Sequence, residues 1–270
     1  MELKLMRPKD KTLANYMEGY YFLNKDRSSK DIEYLTFPNN YSILSVSQNI
    51  ELKFGENEIK AIGINNGRFS SDLICHYKKP IKVSIQGHFN EITFYFKPLG
   101  LNAFLIKPLK EYTKDFSQVF LPYDDYKESM ISILNEKNNE KQIDMIEEFW
   151  MSKYVGFNHS FFTDLVDDVM KDLDKSLESH ATQYKTSRQT INKLFDIHLG
   201  KSPSDFRKIQ RFRETLIQSV DKKTLTELSY DHLFYDQSHL IKDFKSLTGL
   251  TPKNFFAKVY SEGKVKWLFL

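Results

Sequence analysis

Through the first hundred residues, apolar and polar positions alternate in short runs. Residues 33–37, 41–46, 50–54, 58–64, 73–77, 81–85 and 92–96 are rich in Ile, Val, Tyr and Phe and read as strands. Turn signals at Asn39-Asn40, Gly55-Glu56-Asn57, Asn65-Asn66-Gly67, Lys79-Pro80 and Lys97-Pro98-Leu99-Gly100 separate them at regular spacing, which predicts an antiparallel sandwich or barrel. A short helix over about 13–20 is predicted to pack at its side. From about Ala103 the apolar period lengthens from two residues to nearly four, and helices follow to the end of the chain. Amphipathic segments at 126–134 and 143–151 are separated by the polar stretch 135–141. Gly156-Phe157-Asn158-His159-Ser160 then breaks the pattern, which places a domain boundary there. The break is neither long nor rich in proline, so the two parts are predicted to touch.

The fold class expected is an α+β chain of two domains. Residues 1–155 form a β-rich domain with trailing helices, 156–260 an all-helical domain, and 261–270 a tail. In the second domain, Phe162, Leu165, Val166, Val169, Met170 and Leu173 fall at helical spacing, with Asp164, Asp167, Asp168 and Asp172 on the opposite face. A helix over 176–184 comes next, and after a turn at Lys185-Thr186 the side chain of Ser187 caps a helix to about Leu199. A long helix then runs from Pro203 to about Val220.

The segment Gly200-Lys201-Ser202-Pro203-Ser204-Asp205-Phe206 returns 49 residues later as Gly249-Leu250-Thr251-Pro252-Lys253-Asn254-Phe255. At the same offset stand Ile191 and Leu240, Phe195 and Phe244, Ser187 and Asp236. The chain therefore carries a duplicated helical unit, each copy stopped at glycine and followed by a helix that starts with proline. The second copy opens at Thr224-Leu225-Thr226-Glu227, a capping box, turns near 233–235 and is capped again at Asp236. Two units of helix-turn-helix size point toward duplex DNA, whose equivalent major-groove faces recur about 34 Å apart.

Charge sharpens this picture only locally. The chain has 270 residues and a net charge of +3, but between Lys185 and Arg213 eight basic residues face two acidic ones, a local +6. Apolar residues at 40% and charged residues at 28% describe a folded globular chain, and 14% aromatic predicts well-filled cores. The single cysteine, Cys75, excludes an internal disulfide and a cysteine zinc cluster. The charged start and the absence of a long apolar run predict a cytoplasmic protein without a membrane span.

These residues resemble the AraC-type (AraC/XylS) bacterial transcription regulators over roughly 161–259. The most specific part is Phe234-Tyr235-Asp236-Gln237-Ser238-His239-Leu240, then Phe244-Lys245, then Thr248 to Phe255; Ala181, Ser187, Leu194-Phe195, Gly200, Pro203 and Arg211 match as well. The resemblance implies two helix-turn-helix units joined by a long helix. Lys185 and Leu233 stand where the family usually has a turn glycine, Thr215 and Ser229 where it favours alanine, and His180 where it favours an apolar residue. The run Phe94 to Gly100 resembles the sensor half of a subgroup of these regulators. That resemblance implies a β-rich domain that binds a small effector, mediates self-association, or both.

A capped helix in the major groove offers its first two turns to base edges. With Ile191, Leu194 and Phe195 as anchors, Arg188, Gln189, Asn192 and Lys193 are the candidate readers of the first unit. In the second unit Leu240 and Phe244 anchor, leaving Gln237, Ser238, His239 and Lys242, with the apolar Ile241 beside them. Lys201, Arg207, Lys208 and Lys245 are candidate phosphate contacts. The expected partners are double-stranded DNA, a small-molecule effector, a second copy of the chain and, for an activator, RNA polymerase. Two rival readings are a protein-interaction module with degraded DNA specificity and a β-barrel metal enzyme built on His76, His88 and Glu91. Neither a metal nor another cofactor is predicted, and no catalytic residues are assigned.

Overall fold

The computed structural model describes residues 5–25, 31–113, 119–220, 237–261 and 266–267. Helix α1 (Lys11–Tyr16) leads into β1 (Met17–Lys25), and seven strands follow: β2 (Ile32–Thr36), β3 (Ser42–Gln48), β4 (Ile50–Phe54), β5 (Glu58–Gly63), β6 (Phe69–Ile74), β7 (Ile81–Gln86) and β8 (Phe89–Phe96). They form two sheets. The first has the order β1-β8-β3-β6 and is antiparallel throughout. The second is β4-β5-β7-β2-β9, in which β5 runs parallel to β7 and the short C-terminal β9 (Lys266–Trp267) runs parallel to β2.

Strand β1 corrects the expected helix over 13–20. Asp10 caps α1 by accepting from the Leu13 amide, but at Met17 the backbone turns extended, with φ of −112°. Tyr20 and Tyr21 bury on opposite faces of the first sheet, one toward the helices and the other toward the second sheet. A strand covered on both sides shows a continuous apolar run, which periodicity alone does not separate from a buried helix.

The outer face of the first sheet packs under α3 (Tyr126–Asn135) and α4 (Asn139–Ser152). Trp150 of α4 lies edge-on to Phe96 of β8, with ring centroids 4.9 Å apart, and to Phe104 at 5.6 Å. Phe104 ends a 3-10 helix (Gly100–Phe104) that leads to the one-turn helix α2 (Leu109–Tyr112). Helix α4 starts at Asn139, inside the stretch expected to separate two helices: Asn138 caps it by accepting from the Lys141 amide at 3.0 Å. Its polar first turn is exposed and carries no apolar signal.

The C-terminal part is helical: α5 (Phe162–Lys171), α6 (Leu177–Gln183), α7 (Arg188–Leu199), α8 (Pro203–Val220), α9 (Gln237–Thr248) and α10 (Pro252–Ser261). Two cores hold it. One gathers Phe162, Leu165, Val169, Ile191, Phe195 and Phe206. The other gathers Ile209, Phe212, Leu216, Phe244, Phe255 and Phe256 around the long α8. Arg211 of α8 ties both halves, donating to the Leu173 carbonyl at 3.3 Å and to the Asp243 carboxylate of α9 at 3.0 Å. The capping box at 224–227, Ser229, the turn at 233–235 and the cap Asp236 lie outside the described residues.

Each helical core also takes side chains from the β-rich domain: Leu99 in the first, and Phe37 with the partly buried Leu35 in the second. Phe37 is 2% exposed and lies edge-on to Phe255 with centroids 5.2 Å apart. Polar contacts continue the seam. Asn40 donates to the Phe206 carbonyl at 3.0 Å, Asn102 donates to the His198 carbonyl at 2.9 Å, and Lys110 pairs with Asp196.

Candidate nucleic-acid interface

The first unit is α6, a tight turn and α7. Ser176 caps α6, accepting from the Ser179 amide, and Ser187 caps α7, accepting from the Thr190 amide, each at 3.0 Å. Lys185 occupies the turn at φ of 48°, the left-handed conformation that a glycine adopts at no steric cost. The turn keeps its geometry by straining one residue, at about 1 kcal/mol or more. Helix α7 stops where Gly200 takes φ of 67°, and Ser202 caps the next helix by accepting from the Asp205 amide at 3.1 Å.

Burial of Ile191, Phe195 and Leu199 fixes the rotation of α7, so Arg188, Gln189, Asn192 and Lys193 all stand exposed on its outer side. The Arg188 guanidinium reaches Glu178 of α6 at 3.0 Å, and the Asn192 amide folds back on the Arg188 carbonyl at 2.8 Å. Both contacts are at the surface and are exchangeable for base edges or phosphates at small cost. Positive charge and the unpaired amides of the α7 N-terminus face the same way, an arrangement that favours an anion.

In the second unit Lys242 and Lys245 are exposed and Ile241 is half-buried. The backbone at Gln237, Ser238 and His239 forms the first turn of α9; their side chains lie outside the described set. Phe244 anchors α9 against Phe212, centroids 5.0 Å apart, and Gly249 ends it at φ of 76°.

The expected phosphate contacts need correction. Lys201 is 4% exposed, and its ammonium donates to the Asn39 carbonyl at 3.0 Å, across the seam between the domains. Burial, against the weaker pull of Cys75 and Asp205, brings its pKa down to about 8. Arg207 donates to the Lys175 carbonyl at 2.8 Å, inside the helical domain. Lys208 is half-buried, which leaves Lys245 as the exposed member of that set. Two of these four cations are thus occupied by carbonyls, a role that a positive sequence segment does not distinguish from phosphate binding.

Under the first unit His180 is fully buried with both ring nitrogens unpaired among the described residues, and burial lowers its pKa, helped by Lys175 and Arg207. It acts there as a neutral filler in a place where the family resemblance implies an apolar side chain. The metal rival finds no geometry: His76 pairs across the seam with Asp205 at 3.8 Å, while Glu91 lines an internal cavity. Among the described residues no three His, Cys, Asp or Glu side chains gather as a metal site, and no helix is long and apolar enough to cross a membrane.

Sequence reasoning missed two features. One is the set of residues that make the expected contact between the two parts: Phe37, Asn40 and Leu99 sit in loops and Asn102 in the 3-10 helix, without periodic signal. The other is a pair of hollows. A cavity of about 90 Å³ lies between the two sheets, and a larger one of about 760 Å³ lies between the domains, with Tyr41 and Lys97 on one wall and Gln210 and Arg213 on the other.

Residues 180–258 match the family described as Helix-turn-helix domain. Among solved structures, ToxT from Vibrio cholerae is similar at 13% identity and a TM-score of 0.44, over 87% of this chain and 98% of that one. Unsaturated fatty acid bound wild-type ToxT from Vibrio cholerae strain SCE256 is similar at 12% identity and a TM-score of 0.38, over 93% and 96% of the two chains. No curated protein matches the chain. The matched region contains the capped α7, the helix α9, both glycine stops and the long connecting helix described above: this part of the chain is a helix-turn-helix domain.

Proposed function

We propose that the protein is a sequence-specific, DNA-binding transcription regulator in which residues 1–155 receive a small-molecule signal and 156–260 bind the operator. The observation that carries this reading is the capped α7, with its apolar side buried and Arg188, Gln189, Asn192 and Lys193 exposed together on the other side. Gln189 and Asn192 have the donor and acceptor pair that matches adenine, and Arg188 and Lys193 reach guanine or phosphate. The α9 unit follows at the far end of α8 and presents Lys242 and Lys245 for the next groove. It acts by binding, in the cytoplasm, and as an activator it would do so beside RNA polymerase.

The seam supplies a coupling route. Helix α7 packs its C-terminal end on the β-rich domain through His198 and Asp196, so a change in docking alters how α7 and α9 are held. A molecule in either hollow would shift that equilibrium by its difference in affinity between the docked and released forms, and self-association of the β-rich domain would set the spacing of two DNA-binding domains.

Selection of bound sequences from a random duplex pool tests the reading. A motif of about one helical turn should be enriched, blurring at one end in Gln189→Ala and at the other in Gln237→Ala. Absence of any enriched motif at low salt would refute specific regulation, and binding that ignores salt would refute a phosphate interface.

A further inference from the structure

The cavity between the sheets has two unlike walls. From the second sheet come aliphatic side chains, among them Leu52, Ile59, Val83 and Ile85. From the first come hydroxyls and carboxyls: Ser45, Ser47, Asp72, Glu91 and Thr93. Thr93 donates to Glu91 at 2.8 Å and shares a bond of 3.2 Å with Ser45, while Ser70, beside the cavity lining, donates to Asp72 at 2.6 Å.

Two carboxyls between packed sheets are costly unless a positive charge compensates them. Neither Lys nor Arg lines this cavity among the described residues. Arg68 acts on Asp72 from outside it. Ser47 is 1% exposed and lines the cavity. Tyr21, Tyr34, Tyr77 and Tyr95 complete the lining with four electron-rich rings. Rings, carboxyls and hydroxyls around one cavity suit a cation, because ring quadrupoles and carboxylates attract the same charge.

We propose that the cavity between the sheets binds a small organic monocation, a short alkylammonium, with its charged head at Glu91, Asp72 and Ser47, the tyrosine rings at its sides and its hydrocarbon body against the second sheet. This rests on the effector reading above and adds the class of ligand. At about 90 Å³ the cavity limits the body to a few carbons. Charge chemistry supports the choice: burial, with Asp72 adding to it and the Thr93 hydroxyl opposing, pushes the Glu91 carboxyl up to about 7, and burial also raises Asp72. Besides Asp72 of β6, the groups around Glu91 are the phenols Tyr21 of β1, Tyr34 of β2 and Tyr95 of β8, none of which is cationic.

The test is calorimetric titration of the full chain with three isosteres, n-butylammonium, 1-butanol and butyrate. The ammonium should bind at least about tenfold more tightly than the alcohol, as expected for one charge-assisted hydrogen bond, and butyrate should bind most weakly. Glu91→Gln should remove that preference while leaving affinity for the alcohol unchanged, so the alcohol reports that the cavity is intact. Ser47→Ala is the second variant, with a smaller loss confined to the ammonium. If butyrate or the alcohol binds as tightly as the ammonium, the cation inference falls and the effector reading stands. If none of the three binds, the cavity as an effector site falls with it. If ammonium affinity is the same in Glu91→Gln, the assignment of the head group is wrong.

Discussion

Lys201 is a buried cation on a docking seam, and its charge should weaken docking. With the domains apart the ammonium would be hydrated and titrate near 10.5; in the docked form burial brings it to about 8. At ~1.4 kcal/mol per pH unit this disfavours the charged docked form by about 3 kcal/mol below pH 8. Between about 8 and 10.5 the docked form binds fewer protons than the released form, so docking gains stability as pH rises through that window and is constant above it. Lys201→Met removes the charge and loses the bond to the Asn39 carbonyl, worth about 2 kcal/mol because its donor is charged. The net gain is about 1 kcal/mol, or roughly fivefold in the docking equilibrium.

The chain contains its own reporter for this. Cys75, the single cysteine, is 7% exposed, and the β-carbon of an alanine at Gly200 would lie 3.4 Å from its own β-carbon. Burial also pushes the thiol up to about 11. Separation of the domains uncovers it, so its labelling rate by an aromatic disulfide at pH ~7.5, divided by the rate for free cysteine, tracks the released fraction. Labelling of Lys201→Met should be roughly fivefold slower than wild type, and protection in the wild type alone should rise from about pH 8 to 10. Faster labelling of the variant, or equal pH profiles for the two proteins, would refute this account of Lys201.

Three further outcomes are expected. Lys185→Gly relieves a left-handed turn and should raise the midpoint of thermal unfolding by about 2 °C, while Lys185→Val lowers it; the opposite order would mean the turn is not strained. Ser187→Ala removes the α7 cap and should cost about 1 kcal/mol, seen as faster hydrogen exchange at Thr190 and about fivefold weaker DNA binding, and unchanged exchange there would count against the cap. Phe37→Ala leaves a hole beside Phe212 and Phe255 and should cost about 3 to 5 kcal/mol, read as faster exchange across α8 to α10 with the β-sandwich unaffected; uniform loss of protection would place Phe37 in the wrong core.

Much of the helical domain was legible in the sequence because its signals are local. Ser187 before α7, Gly200 after it and Pro203 at the start of α8 act within a few residues, and the repeat shows the same stop and start at Gly249 and Pro252. The exposed side of α7 followed from the burial of Ile191 and Phe195. Strand β1 was not legible, since a segment covered on both faces has no period of its own. Lys201 and Arg207 could not be separated from phosphate contacts, because a basic run records charge but not which carbonyl lies opposite. The strip of Ser45, Thr93 and Glu91 was likewise hidden: Ser45 comes from β3 and the other two from β8, and only the β3 to β8 register sets them side by side.

Phe37 has a consequence for building chimeras. A protein engineer who exchanged the N-terminal halves near residue 156 would remove an aromatic ring from the second helical core while leaving the helical sequence untouched. The recipient would then carry the exposed side chains of α7 and α9 on an incompletely filled scaffold. Transplants should therefore keep the loop after β2 with the helical half, or supply a bulky side chain in its place.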